Sequence, residues 1–407
     1  MTAVLTARPV ATRRPAERLI NPLLFLAIAV SSIVIVEPAP YEGVLAFLAL
    51  ICIAGGVTFD RKLVPLIALL ALWNLGGLLS LTQVSHDRAA ITFVAVSGYL
   101  AASAILLAAL YTHDTMRRLE ITRTAYVIAA LLATAYGIFV YASGADVAQF
   151  AGRVRGTFKD PNVYGPFLIL PLLMLGADLF QRGFNLWKVL AAGILLIGLL
   201  MSFSRGAWLN FAIAAAVTGG MMFLTAPSPR VRFRLVAMGL IAAIMLSGLV
   251  AAALSVDTVG KMFEERAKVT QYYDTGDRGR FTTQLEALDL VLENPNGVGP
   301  YQLRHLTGVD PHQVYINAFA SYGWIGGSAY LALVLSTLLV GFRYALVRAP
   351  WGPYLIAAFA TFFGTAIEGL VIDTDHWRHF FLLLGIIWGL SIATRNALDT
   401  QRRVRPA

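Results

Sequence analysis

The sequence predicts an all-α integral membrane protein of about twelve transmembrane helices, and three observations carry that expectation. Of its 407 residues 58% are hydrophobic and only 14% charged, with a mean hydropathy of +0.70. The apolar residues fall into runs of 15 to 29 that are continuous and do not alternate, which is the helical solution to spanning lipid and not the β-barrel one. The cations are also ordered. With the N-terminus placed inside, 20 of the 32 Lys and Arg fall on inner segments and 12 on outer ones, while 17 of the 23 Asp and Glu fall on the outer half. The inner face is then about +14 and the outer about −5, a positive-inside bias for an N-in, C-in chain. That bias accounts for the pI of 9.7 without any nucleic-acid partner.

The runs lie at 20–36, 41–56, 63–82, 89–111, 124–141, 162–180, 189–203, 206–224, 235–254, 313–341, 353–372 and 379–394. They form one membrane domain over 20–394, between a basic tail at 1–19 and another at 395–407, with no linker or repeat. The first run lacks a small-residue cleavage site and eleven more follow it, so it is expected to stay as a span. The loop before the sixth run packs Arg153, Arg155 and Lys159 into seven residues. It ends on Asp160-Pro161-Asn162, which predicts an N-cap followed by proline in the first helical position. The seventh and eighth runs meet at Ser202-Phe203-Ser204-Arg205-Gly206 with almost no loop between them. The long outer loop, 255–312, carries Phe281, Leu285, Leu288 and Leu292 at helical spacing, which predicts a short amphipathic helix at the outer interface. The turn from Asn294 to Pro300 ends it. His312 opens the tenth run, Glu368 lies within the eleventh, and Asp373, Asp375 and His376 sit in the turn before the twelfth. The single cysteine, Cys52, falls within a span, so neither a disulfide framework nor a thiolate zinc site is expected.

The informative charges are the ones on the less basic side. An arginine at a membrane boundary is costly unless it snorkels, faces water or meets an anion, and Arg205 admits all three readings. Arg153 and Arg155 beside a helix start suit a phosphate, and equally an ordinary solvated turn. His312 reads either as a helix cap or as a general base. Glu368 is expected to pair with one of the outer arginines. Asp373, Asp375 and His376 have a spacing too unspecific to assign a metal, and no metal or other cofactor is expected. No phosphate-binding glycine loop or dinucleotide fingerprint occurs. Taken together, arginines from three outer segments, a histidine and carboxylates on one face suit a diphosphate at the outer leaflet.

The ordered set Arg155-Gly156-Thr157-Phe158-x-x-Pro161-Asn162, Ser204-Arg205-Gly206, Arg278 and Arg280 before a helix ending Asn294-Pro295-x-Gly297-x-Gly299, His312-x-x-Tyr315 and Gly323-x-x-Gly326 resembles the O-antigen ligase and O-antigen polymerase superfamily. The chain departs from it at His312-Gln313, where ligases often carry His-Asn. The resemblance implies a GT-C-like bundle and a metal-independent, inverting glycosyltransferase of the bacterial inner membrane, active at its periplasmic face. The implied donor is a glycan on undecaprenyl diphosphate. The implied acceptor is a sugar hydroxyl, on lipid A core for a ligase or on a growing glycan for a polymerase, with polysaccharide assembly proteins as possible partners. His312 is then the base, and Arg205 with Arg278 or Arg280 holds the departing diphosphate. Arg153, Arg155, Asn162, Tyr315, Glu368, Asp375 and His376 are the expected diphosphate- or glycan-binding set. The Ser204-Arg205-Gly206 and His312 arrangement favours the ligase branch, with an exopolysaccharide polymerase the nearest alternative. A transporter of a small anion or lipid-linked sugar is the competing class. Twelve spans and Glu368 suit it, whereas the missing repeat and one-sided cations do not.

Overall fold

The computed structural model describes residues 15–36, 38–144, 152–255, 257–267, 280–308 and 311–404, and among these described residues the regular structure is all α-helix and short 3₁₀ turns, with no strand. In order the helices are α1 (Pro15–Ala29), α2 (Pro40–Gly55), α3 (Val64–Ser80), α4 (Arg88–Thr112), α5 (Thr115–Ser143), α6 (Pro161–Phe167), α7 (Ile169–Arg182), α8 (Leu186–Met201), α9 (Arg205–Thr225) and α10 (Pro229–Leu254). They continue as α11 (Asp257–Ala267), α12 (Arg280–Glu293), α13 (Gln302–Thr307), α14 (Val314–Ala345), α15 (Gly352–Glu368) and α16 (Arg378–Val404). The described chain is a polytopic helical membrane protein. Eight helical segments are long and apolar enough to cross a bilayer, with α6 and α7 counting as one.

The other four expected spans are shorter helices, α1, α2, α8 and α15, of 15, 16, 16 and 17 residues. At a rise of about 1.5 Å per residue each falls a little short of a ~30 Å hydrocarbon core. Two of the predicted runs were longer because apolarity continues into turns. Residues 30–36 leave the helix after Ala29, and 369–372 turn back after Glu368, where the Val371 amide donates to the Glu368 carbonyl at 2.9 Å.

The core forms where small residues let backbones approach. A Cβ on Gly76 would lie 2.4 Å from the Tyr322 carbonyl oxygen and 2.5 Å from the Gly326 Cα, so α3 and α14 touch backbone to backbone. Trp73, fully buried, fills the space beside that crossing, with ring centroids 5.2 Å from Tyr322 and 5.1 Å from Tyr330. The α16 helix packs on α4, and α15 on α9. At the end of the bundle remote from His312, Lys62 donates to Asn396 at 2.5 Å and to Asp399 at 2.6 Å, clasping the start of α3 to the last turns of α16. The buried Asp178 is likewise met by Arg123 at 2.5 Å and Lys188 at 2.6 Å, as a carboxylate inside a bundle must be. The α10 helix is different. None of its residues is buried; it packs mainly on α9 and α11, and Arg234 in its first turns reaches the Leu179 carbonyl and the Phe180 ring of α7.

The long helix α14 is broken at Gly323, whose φ of 63° and ψ of −176° are not helical. The loop after α12 enters the break. The Trp324 amide donates to the Pro295 carbonyl at 2.8 Å, and the Val298 and Gly299 amides donate to Ala320 at 2.9 and 3.2 Å. Backbone groups freed inside a membrane protein need partners, and this loop supplies them. The fit admits no side chain, since a Cβ on Gly297 would come within 2.6 Å of the Ala320 oxygen. The Asn294–Gly299 and Gly323–Gly326 pieces of the sequence signature are thus the two sides of one docking joint.

The predicted interfacial helix is α12, and its leucines do not face the bundle. Leu285, Leu288 and Leu292 are 67%, 42% and 58% exposed, whereas Thr283, Ala287 and Val291 are buried. The small-residue face packs on the protein, leaving the leucine face for lipid. Phe281 is among the residues whose side chains are not described.

Gly323→Ala is expected to lower stability by about 1–3 kcal/mol, because alanine must keep a left-handed φ and its Cβ would lie 2.8 Å from the Pro295 and Asn296 backbone. Gly176→Ala in α7, with open space around it, is the neutral control. Thermal unfolding of the two variants in one detergent checks this; equal melting temperatures would refute the joint.

Candidate active site

The distinctive segments of the sequence come together at one end of the bundle, through contacts that can be followed residue by residue. Gly156 has a φ of 57°, and a Cβ there would lie 2.9 Å from both the Ala133 carbonyl and the Tyr164 ring. This bend presses the 153–160 strip onto its neighbours. The Thr157 hydroxyl donates to Ser32 at 2.6 Å, and the Val154 amide donates to Met201 at 2.9 Å. Asp160 caps α6 by accepting from the Asn162 amide at 2.7 Å, with Pro161 first in the helix, as the sequence predicts. Arg153 joins the strip to the next signature. Its Nε donates to the Ser202 carbonyl at 3.0 Å and its guanidinium to Asn162 at 2.6 Å. Arg155 reaches the Phe158 carbonyl at 3.4 Å. Arg153 and Asn162 therefore hold two loops in register.

Ser204 caps α9, and Arg205 is its first residue. A cation at the positive end of a helix dipole is unfavourable unless an anion is near. The same feature recurs across this end: α4, α9, α12 and α16 begin on Arg88, Arg205, Arg280 and Arg378. Arg378 is matched by Glu42 at 2.5 Å. Arg280 opens α12, but its side chain lies outside the described residues, as does the whole of Arg278.

Glu368, at the last position of α15, lies over the start of α9. A Cβ on Gly206 would be 2.7 Å from its Oε1. The expected arginine partner is not what Glu368 has. Its carboxylate accepts from the Asn210 side-chain amide at 2.7 Å, and Asn210 also donates to Thr365 at 3.3 Å. The buried position explains the choice: an amide one turn along α9 reaches the carboxylate, while Arg205 at the helix start does not.

One residue beyond Glu368, the Gly369 carbonyl accepts from the Val314 amide at 2.9 Å, and the Tyr315 hydroxyl donates to Ala366 at 2.6 Å. These bonds dock the start of α14 on the end of α15 and hold His312 over the 369–377 turn. His312 adopts a φ of 46°. A left-handed conformation at a non-glycine residue stores roughly 1–3 kcal/mol and persists only where neighbours enforce it. Phe203, two residues before Arg205, has the same strain at 46°. The His312 Nδ1 lies 3.7 Å from an Asp373 oxygen, with half of the histidine side chain open to the surroundings. Asp373 is placed in turn by Asn317, which donates to it at 3.3 Å and accepts from Ser321 at 3.0 Å. Gln284 of α12 donates to the Pro311 carbonyl at 3.2 Å, tying the helix that Arg280 begins to the residue before His312.

Asp375 and His376 stand apart from this pair. They contact each other at 3.0 Å, and His376 also bonds the Phe93 carbonyl at 3.2 Å while stacking on the Phe93 ring. Tyr315, with its hydroxyl committed to α15, is a tether. Among the described residues no three His, Cys, Asp or Glu side chains gather in a way that could hold a metal ion. The sequence reading did not single out Asn210, Asn317 or Asp373 for these roles. The two asparagines did carry a signal, because an amide inside an apolar run needs a buried partner.

Residues 190–331 match the family model described as O-antigen ligase, Wzy_C. This match supports the O-antigen ligase superfamily. The matched stretch runs from α8 into α14, so it contains Arg205, Arg278, Arg280, His312 and Tyr315 but neither the 153–162 strip nor Glu368. No curated protein matches the chain.

The contact between Gly206 and Glu368 predicts strong coupling. Gly206→Ala is expected to cost about 1–3 kcal/mol by overpacking. In a Glu368→Ala background, which opens that space, the same change should cost much less. A thermal-unfolding double-mutant cycle measures this; additive effects would rule the contact out.

Proposed function

We propose, on the footing of the superfamily match, that this chain is a glycosyltransferase that moves a glycan from undecaprenyl diphosphate onto a sugar hydroxyl. The acting face in this reading is the His312 end of the bundle, on the periplasmic side of an inner membrane with both termini inside, an orientation that the charge bias supports. The observation that carries the reading is the meeting of a strained histidine, its aspartate and arginine-led helix starts at one end, with Arg205, Arg280 and His312 all inside the matched stretch.

The geometry suits direct displacement. With the Nδ1 side of His312 turned toward Asp373, the carboxylate favours a proton on that nitrogen and leaves Nε2 as the basic one. At 3.7 Å the pair is longer than a hydrogen bond, so Asp373 acts through its charge until substrate draws the site together. The acceptor hydroxyl loses its proton to Nε2 as its oxygen bonds to the anomeric carbon. The bond from that carbon to the phosphate oxygen breaks on the opposite face, and undecaprenyl diphosphate leaves with the electron pair. Attack and departure on opposite faces invert the anomeric centre. We assign the charge that grows on the diphosphate to Arg205 and to one of Arg278 or Arg280, since guanidinium forks match two phosphate oxygens at once. The helix starts that they lead add to the same positive field. No nucleotide or metal is assigned to any step. The ligase reading is preferred over a polymerase on the Ser204-Arg205-Gly206 and His312 arrangement; a transporter leaves the His312 and Asp373 pairing without a purpose.

The test uses purified protein with an undecaprenyl-diphosphate oligosaccharide, with lipid A core or with no second acceptor. Labelled core with release of undecaprenyl diphosphate identifies a ligase, and lengthened glycan without core a polymerase. His312→Ala is expected to lower the rate about 10²–10⁴-fold. Arg205→Lys should lower it about 10²–10³-fold, because an ammonium cannot reproduce the fork. Wild-type rates in His312→Ala would overturn the base assignment, and wild-type rates in Arg205→Lys would reduce Arg205 to an anchor.

A further inference from the structure

A second feature of the same end of the molecule is not used by this mechanism. A cavity of about 190 Å³ lies between the turn after α1, the start of α6 and the first turn of α16. His379 lines it. The residue is only 4% exposed, and its Nε2 has no hydrogen-bond partner. A buried ring nitrogen without a partner is costly unless something enters to meet it. Aromatic residues make up much of the remaining wall, with Tyr41, Phe158, Phe167 and Trp377 around the space and Trp377 5.0 Å from the His379 ring.

The charges of the lining indicate what kind of ligand fits. Lys159 and Asp160 contribute one charge of each sign, and the Arg378 guanidinium is matched by Glu42. The pocket therefore has no surplus positive charge to attract a diphosphate. Aromatic faces together with isolated polar atoms suit a ligand that is apolar on its ring faces and polar at its edge. The space is below the ~300–1,000 Å³ of sites for larger organic ligands, so it takes one ring and not a chain. We infer that this cavity is a subsite for a single sugar ring of the substrate, packed against Trp377 and hydrogen-bonded by His379. That the sugar belongs to the substrate rests on the function proposed above. The two sites share one turn: Asp373, beside His312, opens the segment that ends at Trp377 and His379, and the Trp377 amide bonds back to Thr374 at 3.2 Å.

The probes are methyl glycosides of glucose, galactose, mannose and N-acetylglucosamine, with inorganic phosphate for comparison, observed by saturation-transfer NMR on the detergent-solubilised full chain. At least one glycoside is expected to bind. His379→Phe, which keeps the ring but removes its nitrogens, should weaken that binding about three- to tenfold. Val163→Trp, filling the cavity from α6, should weaken it at least about tenfold, and His312→Ala should leave it unchanged. In turnover both cavity variants should raise a KM with kcat held. A raised KM for the lipid-linked donor places the ring in the donor glycan, and a raised KM for the acceptor places it there. The subsite is overturned if no glycoside binds, if phosphate displaces the bound one, or if both variants bind and turn over like the parent. If the parent transfers no glycan yet binds a glycoside that both variants lose, the transferase reading falls and the sugar pocket stands.

Discussion

Much of the structure at the His312 end depends on a break in one helix. Once α14 departs from helical geometry at Gly323, the amides and carbonyls around that residue must find partners in a setting with no bulk water to offer them. The Asn294–Gly299 loop supplies these, which fixes the far end of α12 against α14. Gln284 of α12 then reaches Pro311, and the Val314 amide reaches Gly369. The strained backbone at His312 is held between these two attachments, and the cost of its left-handed conformation is borne by bonds made several residues away.

The second organising element is electrostatic. Helices that start at this end expose their amide ends there, and four of them also start on arginine. An arginine there opposes the dipole unless an anion is near, and carboxylates stand at two of these starts, Asp87 as the cap of α4 and Glu42 against Arg378 of α16. At α9 the Glu368 carboxylate accepts from Asn210. The cavity beside His379 lies within the same face, and its charges cancel, with Asp160 beside Lys159 and Glu42 against Arg378. A face with arginine-led helix starts and a neutral aromatic cavity suits a substrate with a charged link and uncharged sugars.

How much of this was legible in the sequence depends on the kind of signal. Apolar length announced the spans, and Asp160-Pro161 announced a helix start, since both are local properties. The order of the arginine and histidine segments pointed to a shared face. The partner of Glu368 was misjudged because charge alone favours an arginine, whereas distance along α9 favours Asn210. The leucines of α12 were recognised as a face, but which way a face turns is decided by the fit of Thr283, Ala287 and Val291 on α14, a three-dimensional matter. The break at Gly323 was present only as two glycine motifs with no visible connection. Asp373 looked like one acid in a crowded turn until Asn317 and His312 were seen to converge on it.

The α10 helix has a different relation to selection. With none of its residues buried, it has no protein neighbour whose shape its side chains must match along most of its length. Lipid accepts one aliphatic side chain about as readily as another, so what is constrained is hydrophobic length and the avoidance of charge. Leucine, isoleucine, valine and alanine can interchange along it with little effect on the fold. Across descendants of this chain α10 should accumulate substitutions quickly while keeping its composition, whereas α3 and α14, joined at Gly76 and Gly326, have almost no such freedom.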